Sequence, residues 1–136
     1  MPLNPDAYQG LAGFRSALRR FLAASEGLCR EGGITPQQYQ AMLAIKTRPA
    51  ANMAIKDLAE QLLLTHHATV QLVDRLCKAA LAARQPSPTD RRSVYVALTE
   101  RGEQVLDHLA AQHLEEMLRQ EPQLSSSLER LRGCRA

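Results

Sequence analysis

The chain has 136 residues, of which 45% are hydrophobic and 23% charged, and this is the size and composition of one ordinary globular domain. Three cysteines without a Cys-x-x-Cys spacing argue against a secreted disulfide framework. No apolar run approaches the roughly 18 residues that a membrane span requires. These features predict a cytoplasmic protein with no membrane partner.

The first predicted element is an amphipathic helix from Pro5 to about Arg30, which Gly32 and Gly33 stop. Its apolar positions recur three and four residues apart, at Leu11, Phe14, Leu18, Phe21, Leu22 and Leu28. A second helix follows Thr35, because threonine suits a helix cap, Pro36 suits the first helical position and Gln38 completes a capping box. Its predicted apolar face consists of Tyr39, Met42 and Leu43. Residues 46–52 are predicted to form a loop.

The apolar residues of 55–81 do not keep one helical phase, so this segment is predicted to form two short helices and not one long helix. Two short helices joined by a tight turn make a helix-turn-helix. Thr65 is the expected cap of the second helix. The predicted buried stripe of that helix is Thr69, Leu72, Val73, Leu76 and Ala80, and the predicted outward positions are His66, His67, Val70, Gln71, Asp74, Arg75 and Lys78. The outward side chains are mostly hydrogen-bonding types.

Residues 82–85 and 92–99 are predicted to pair as a β-hairpin, with Pro86 and Pro88 at its loop end because proline cannot donate a ladder hydrogen bond. Val94, Val96 and Leu98 alternate with Tyr95, Ala97 and Thr99, as in a half-buried strand. A helix-turn-helix followed by a hairpin is a winged helix. Its second helix enters the major groove of DNA, about 12 Å wide, and its hairpin tip reaches the minor groove, about 6 Å wide.

The excess positive charge is central. Residues 46–102 hold nine Lys and Arg against five acids, whereas the rest of the chain holds eight against nine. A polyanion such as DNA is one explanation, and a solvated face of a basic protein is the other. After the hairpin, Thr99 is predicted to cap a long helix that Pro122 ends, and residues 125–127 restart a short helical segment.

The run VDRLCKAAL at 73–81, followed by RQPSPTDRRSVYVALTERG at 84–102, resembles the MarR family of winged-helix transcriptional regulators. That family combines V-D-R-L in its recognition helix, a basic wing with D-x-R, and L-T-x-x-G at the start of the next helix; ITPQQYQAMLAI and IKDLAEQL also match it. The chain departs from the family at Ala80, where glycine is common, and in the alanines at 82–83 and the order Ala68-Thr69.

The resemblance implies a mainly α fold with a small β-hairpin wing, compact as one domain overall. In it, residues 1–33 form an N-terminal dimerisation helix, residues 34–99 the winged helix-turn-helix lobe, and residues 100–136 C-terminal dimerisation helices. The implied function is sequence-specific binding of a homodimer to double-stranded DNA at a pseudo-palindromic operator, as a ligand-responsive repressor. Catalytic residues, cofactors and metals are not expected.

Candidate site residues follow from the same resemblance. Arg92 matches the arginine that enters the minor groove, and Asp90 is its orienting partner through a local ion pair. The other predicted DNA contacts are Thr65, His66, His67 and Gln71 on the recognition helix and Arg84 and Arg91 on the wing. The residues alone leave simpler interpretations open, namely a solvated turn for the two adjacent arginines and polar positions of a first helical turn for the histidines.

A small, often aromatic or anionic effector is the other implied partner, bound in the cleft between the dimer body and each winged lobe. Phe14, Tyr39 and Met42 are the candidate lining residues, with core packing as the alternative for each. In the relatives, such a ligand weakens DNA binding by changing the spacing of the two recognition helices.

Other functions have weaker signals. The sequence contains no Gly-rich phosphate loop, nucleophile elbow or His-x-x-x-His motif, so an enzyme is not indicated. His108 and His113 are five residues apart, a poor spacing for a shared metal, and a hydrogen-bonded core histidine is the better interpretation of His113. Two alternatives remain open: a thiol-based redox regulator that uses Cys29, with Cys134 as the resolving thiol, and a winged-helix module that binds protein or RNA.

Overall fold

The computed structural model describes residues 2–87, 89–90 and 92–135. In this part of the chain the elements are α1 (Pro5–Glu31), α2 (Pro36–Lys46), a 3-10 turn (Pro49–Ala51), β1 (Asn52–Ala54), α3 (Ile55–Leu62), α4 (His66–Lys78), β2 (Ala82–Pro86), β3 (Val94–Leu98) and α5 (Glu100–Arg132). The predicted winged helix-turn-helix is confirmed. The chain divides into two compact units, which we call the terminal unit (Met1–Leu28 with Ala111–Ala136) and the central lobe (Cys29–Ala110).

Side-chain caps begin α2 and α4 of the central lobe where the sequence predicted them. The Thr35 hydroxyl accepts a hydrogen bond from the Gln38 N–H at 3.1 Å, and the Gln38 side chain accepts one from the Thr35 N–H at 2.8 Å, which completes the capping box of α2. The Thr65 hydroxyl accepts a hydrogen bond from the Ala68 N–H at 3.1 Å at the start of α4. Both caps satisfy N–H groups that have no partner within the helix.

The buried face of α4 is the one that the apolar spacing predicted. Thr69, Leu72, Val73 and Leu76 are all buried, and the Thr69 hydroxyl donates to the Thr65 carbonyl at 2.8 Å, so that its polar atom is satisfied within the core. Ala80 was wrongly included in this stripe. The helix ends at Lys78, and Ala80 lies beyond it with a φ of 59° and an exposed side chain.

The wing is a three-stranded antiparallel sheet in the order β1-β3-β2, whereas the sequence predicted two strands and a loop over residues 46–52. Strand β1 has three residues, too few for an alternating pattern to be recognised. Met53 on β1 pairs with Val96 on β3, and both side chains are buried. The central strand β3 is therefore anchored to the core, while its end at Val94 is exposed, contrary to the predicted alternation.

The core of the central lobe gathers apolar side chains from every element around β3. Its largest fully buried side chains are Met42, Ile45, Met53, Leu58, Leu72, Val73, Leu76, Leu81, Val96, Leu106 and Leu109. On α2 the buried face contains Tyr39, Met42 and Ile45, whereas Leu43, predicted to be on it, is 42% exposed. The core therefore holds α4 and the wing in one packed body.

A single helix, α5, runs from Glu100 to Arg132, and Pro122 lies inside it rather than ending it. A proline in a helix interior removes one intrahelical hydrogen bond and favours a kink. Packing within the terminal unit favours continuation: a Cβ added at Gly10 would lie 2.8 Å from Leu131, and Asp6 pairs with Arg130 at 3.3 Å. These contacts hold the segment after the proline against α1.

The terminal unit contains a buried polar pair. The Ser25 hydroxyl and Nε2 of His113 are 2.7 Å apart and both residues are buried, while the Phe21 ring meets the His113 ring edge-on at 6.2 Å between centroids. His113 is thus a hydrogen-bonded core histidine, as the sequence suggested. Among the described residues, no helix is both long and apolar enough to cross a membrane.

The junction between β3 and α5 is built on the predicted L-T-x-x-G motif. The Thr99 hydroxyl donates to the Ala80 carbonyl at 2.6 Å and accepts from the Gly102 N–H at 3.0 Å, while the Thr99 N–H donates to the Leu81 carbonyl at 3.1 Å. A Cβ added at Gly102 would overlap the Leu81 carbonyl oxygen. The glycine is therefore required by the close approach of two backbones.

We predict that Gly102→Ala lowers the free energy of unfolding by about 1 to 3 kcal/mol, because the new methyl group must push the Leu81 backbone away. The measurement is urea unfolding at one fixed protein concentration. Gly27→Ala is the matched control: nothing lies within 4 Å of its added Cβ on α1, so that this change raises stability by about 0.5 to 1 kcal/mol. Equal effects of the two substitutions would contradict the close approach.

We also predict that Ala80→Gly stabilises the protein by about 0.5 to 1 kcal/mol, because glycine adopts a positive φ without the steric cost that a Cβ imposes. The neighbouring Ala79 has a φ of −82° and serves as the control. Ala79→Gly relieves no strain and increases the conformational entropy of the unfolded chain. It therefore lowers the free energy of unfolding by about 0.5 to 1 kcal/mol. The measurements are thermal and urea unfolding of both variants. If both substitutions change the free energy of unfolding in the same direction, this interpretation of the turn is wrong.

Candidate DNA interface

Helix α4 presents a polar, exposed face opposite its buried stripe. His66, His67 and Gln71 are exposed on this face, and Arg75 and Lys78 continue it toward the C-terminal end. Thr65 precedes them with its hydroxyl engaged in the helix cap. The predicted base-reading positions are thus brought together on one side of one short helix, in which side chains three and four residues apart are neighbours.

An ion pair connects α4 to the wing. A guanidinium nitrogen of Arg84, on β2, contacts a carboxylate oxygen of Asp74, on α4, and another lies 3.9 Å from the sulfur of Cys77. Both charged side chains are partly exposed, so this pair contributes little to overall stability. It does fix the direction of Arg84, which the sequence predicted only as a backbone contact to DNA.

The wing tip is organised by short-range hydrogen bonds. The Ser87 hydroxyl accepts from the N–H groups of Thr89 and Asp90 at 3.2 and 2.9 Å, and the Asp90 carboxylate accepts from the Arg92 N–H at 2.9 Å and the Ser93 hydroxyl at 3.3 Å. Asp90 therefore contacts the main chain of Arg92, where an ion pair with its guanidinium was predicted. The Arg92 side chain is exposed at the tip.

Two of the residues in this turn that the sequence singled out, Pro88 and Arg91, lie outside the described residues. The predicted contact of Arg91 with DNA therefore stays a prediction. The remaining predicted wing residues, Arg84, Asp90 and Arg92, all belong to the central lobe, which also contains α4.

A groove of about 620 Å³ runs between the start of α3, the start of α4 and the wing. It is lined by Ala54, Ile55, Lys56, Asp57, His66, Val70, Arg84, Arg92, Ser93, Val94 and Tyr95. Three of the predicted DNA contacts, His66, Arg84 and Arg92, thus share one concave surface. Lys56 adds a third permanent cation to those of Arg84 and Arg92. The carboxylates of Asp57, in the lining, and of Asp74, paired with Arg84, offset two of the three, so a net positive charge remains to attract anions.

Sequence reasoning missed three residues in this part of the lobe. Lys56, at the start of α3, and Tyr95, in the middle of β3, line the groove but were not singled out as site residues. Leu63, which ends α3, is 91% exposed and has a left-handed backbone with φ 56° and ψ 41°. A signal for Leu63 was available in the sequence. It is the middle one of three consecutive leucines, at 62–64, and three in a row exceed what one amphipathic face buries.

The three candidate effector residues are not gathered in this groove. Tyr39 and Met42 are buried in the core of the central lobe, and Phe14 is partly exposed in the terminal unit. Burial raises the pKa of the Tyr39 phenol, and the nearby Cys29 thiol adds to the shift. Core packing, the alternative for each residue, accounts for Tyr39 and Met42.

The cysteines and histidines have mainly structural surroundings. Cys29 is fully buried, whereas a reactive thiol is usually accessible, and Cys134 donates to the Arg130 carbonyl near the end of the chain. Within the described residues, His, Cys, Asp and Glu side chains form no group of three or more that could hold a metal ion.

A helix-turn-helix whose second helix exposes polar side chains, followed by a basic hairpin, defines the winged helix-turn-helix class of DNA-binding folds. The profile of the MarR family matches residues 32–93, which include α2, α3, α4 and most of the wing. This central segment of the chain therefore resembles the MarR family.

Several known proteins resemble this chain. YkoM of Bacillus subtilis, an uncharacterised HTH-type transcriptional regulator, is 28% identical over 103 residues, which cover 74% of this chain and 66% of YkoM. The crystal structure of AbsC, a MarR family regulator of Streptomyces coelicolor, matches 88% of this chain and 81% of AbsC with a TM-score of 0.77 and 20% identity.

Sco3205, another MarR family regulator of Streptomyces coelicolor, was solved in complex with DNA. The match covers 88% of this chain and 76% of the Sco3205 chain, with a TM-score of 0.74 and 19% sequence identity. At 19 to 20% identity, these two structural matches establish the shared fold. The chain spans about two thirds of the length of its curated relative YkoM.

Proposed function

We propose that this chain is a sequence-specific, double-stranded DNA-binding transcriptional regulator that acts as a homodimer on a pseudo-palindromic operator, as a ligand-responsive repressor. One observation carries the proposal: His66, at the start of the exposed polar face of α4, and the wing residues Arg84 and Arg92 line the same groove. A duplex offers a wide groove for the helix and, beside it, a narrow one for the tip.

Helix α4 is the reading element in this proposal. Gln71 is exposed one helical turn beyond the first residues of α4, and its amide suits the paired donor and acceptor of adenine in the major groove. His66 and His67 lie at the N-terminal end, where residues of a recognition helix reach base edges or phosphates. Thr65 supports them, because its hydroxyl holds the first turn in place.

The wing supplies the second contact. Arg92 is exposed at the wing tip, and its backbone N–H is held by the Asp90 carboxylate. The wing therefore loses less conformational entropy when the Arg92 guanidinium enters a minor groove. A narrow groove over A·T pairs concentrates negative potential and attracts arginine. Arg84 keeps further N–H donors beside its contact with Asp74 and can approach a phosphate from the groove wall.

Dimerisation is supported by the apolar surface of the terminal unit. Its exposed large apolar residues are Leu3, Tyr8, Leu11, Leu18, Leu22, Leu114, Met117, Leu118 and Leu128. So many exposed side chains on two helices are costly in water and typical of an interface. We assign residues 1–33 and 100–136 to dimerisation, which brings two recognition helices to the spacing of one helical turn of DNA, roughly 34 to 36 Å.

We place the effector in the groove beside the wing instead of the predicted cleft between the dimer body and each lobe. The groove volume of about 620 Å³ lies in the range of small-molecule sites. An anionic compound seated there would occupy Arg84 and Arg92, the cations that a duplex also requires, and would thereby lower the affinity for DNA. Repression relieved by such a compound is the regulatory cycle that we propose.

We predict that Arg92→Ala weakens binding to the operator by about 1 to 3 kcal/mol, because the contact in the minor groove is lost while the fold and the dimer remain. Fluorescence anisotropy titration at fixed salt measures this change. Arg132→Ala, which removes an exposed arginine of the terminal unit, is the matched control and leaves the affinity unchanged. An unchanged dissociation constant for Arg92→Ala would remove the wing from the mechanism.

We further predict that Leu118→Glu converts the protein to monomers and abolishes operator binding, because a carboxylate cannot be buried unpaired in an apolar interface. Leu118 is 62% exposed in the single chain. The control is Leu43→Glu, which changes an exposed leucine of the central lobe and leaves the dimer intact. Sedimentation velocity distinguishes the two states, and a wild-type protein that sediments as a monomer would refute the proposal.

A further inference from the structure

Leu63 occupies an unusual position between the two helices of the helix-turn-helix. Its N–H donates to the Glu60 carbonyl at 3.3 Å and the Leu64 N–H donates to the Ala59 carbonyl at 3.0 Å, the bonds that close the C-terminal end of α3. This closure requires a left-handed residue, and Leu63 has φ 56° and ψ 41°. Glycine is the usual residue in such a turn, because a Cβ crowds the backbone there.

A leucine in this turn contributes little to the stability of the lobe. Its side chain is 91% exposed, so that it buries almost no apolar surface. The other described non-glycine residues with positive φ are Ala50, Ala51 and Ala80, which carry the smallest side chain that has a Cβ. Only at Leu63, among the described residues, does the chain combine this strained backbone with a large apolar side chain. Folding therefore does not explain the leucine.

The location of Leu63 indicates what it contacts. It lies two residues before Thr65, the cap of α4, and three before His66, at the end of the helix that approaches base edges in a helix-turn-helix. The nearby exposed residues of α4, His66, His67 and Gln71, are hydrogen-bonding types. The apolar side chains near these residues are Val70, which lines the groove and is partly buried, and Leu63, which is almost fully exposed.

We infer that Leu63 is a specificity-determining residue that contacts the 5-methyl group of a thymine in the major groove. The inference rests on the proposed function and assigns a base to one part of the proposed DNA-binding surface. The thymine methyl is the apolar feature of the major-groove edge, where the other groups are hydrogen-bond donors and acceptors. A leucine side chain cannot form hydrogen bonds with those donors and acceptors, but it can pack against the thymine methyl group and exclude water from it.

The test uses a duplex selected by the wild-type protein from a random pool, in which each thymine is replaced in turn by deoxyuridine. This substitution removes the methyl group and leaves the base pairing intact. At one thymine of each half-site, the wild type should lose about fourfold in affinity, the value expected when one buried methyl group is removed. Leu63→Ala and Leu63→Gly should show no loss at that thymine and should bind the unmodified duplex about fourfold more weakly.

Ala80→Gly is the matched control, because it relieves a left-handed alanine in the same lobe without removing an apolar side chain. It should retain the response to deoxyuridine. The thymine contact is wrong if each deoxyuridine replacement lowers the affinity of the wild type and of the Leu63 variants by the same factor. The proposed function still stands in that case, provided that the wild type selects a sequence from the pool. If the wild type selects no sequence, both fail.

A protein partner for Leu63 is a separate outcome. If Leu63→Ala changes the sedimentation coefficient of the free protein, the leucine belongs to an interface between copies of the chain, and the thymine contact is overturned. Unfolding measurements on Leu63→Gly give an independent readout of the turn: its stability should rise, because glycine relieves the positive φ, while its preference for thymine disappears. A variant that becomes more stable and less selective separates binding from folding.

Discussion

The close contact between the first turn of α5 and the turn that follows α4 is the constraint on which the rest of the lobe depends. Thr99 contacts the backbone of Ala80, Leu81 and Gly102, and the absence of a side chain at Gly102 lets the two segments touch. Strand β2 begins directly after this contact and β3 ends directly before it. The contact therefore determines where both strands of the wing leave the core and how they project past α4. The L-T-x-x-G pattern is, in physical terms, the signature of this junction.

Much of the architecture could be predicted because its determinants are local. Thr35, Pro36 and Gln38 act within one helical turn, and the stripe from Thr69 to Leu76 repeats with the helical period. The missed features depend on residues distant in sequence. Strand β1 forms only because β3 is available to pair with it, and α5 continues past Pro122 where packing against α1 supports it. Sequence patterns alone do not weigh a proline against contacts more than a hundred residues away.

The candidate site was also predictable only in part. Its residue types could be predicted, since a polar face on α4 and arginines in a turn are visible in the sequence. The contacts of these residues could not be predicted, because the hydrogen bond from the Arg92 N–H to Asp90 and the approach of Arg84 to Asp74 depend on how the hairpin lies on the helix. Leu63 was overlooked because apolar residues are normally assigned to the core, and its exposure and backbone conformation show that the core does not need it.

The contact between Asp74 and Arg84 has a consequence for the layout of any binding site on DNA. It joins α4 to the wing only a few residues after the helix ends, and the residues between them are held by hydrogen bonds to Thr99. Together with the packing of the core, these contacts keep the distance between α4 and the hairpin constant. In the DNA complex that we propose, the bases read in the wide groove and the A·T pairs favoured in the narrow one would keep a constant offset in each half of the operator. Length variation between operators would be confined to the segment that separates the two halves.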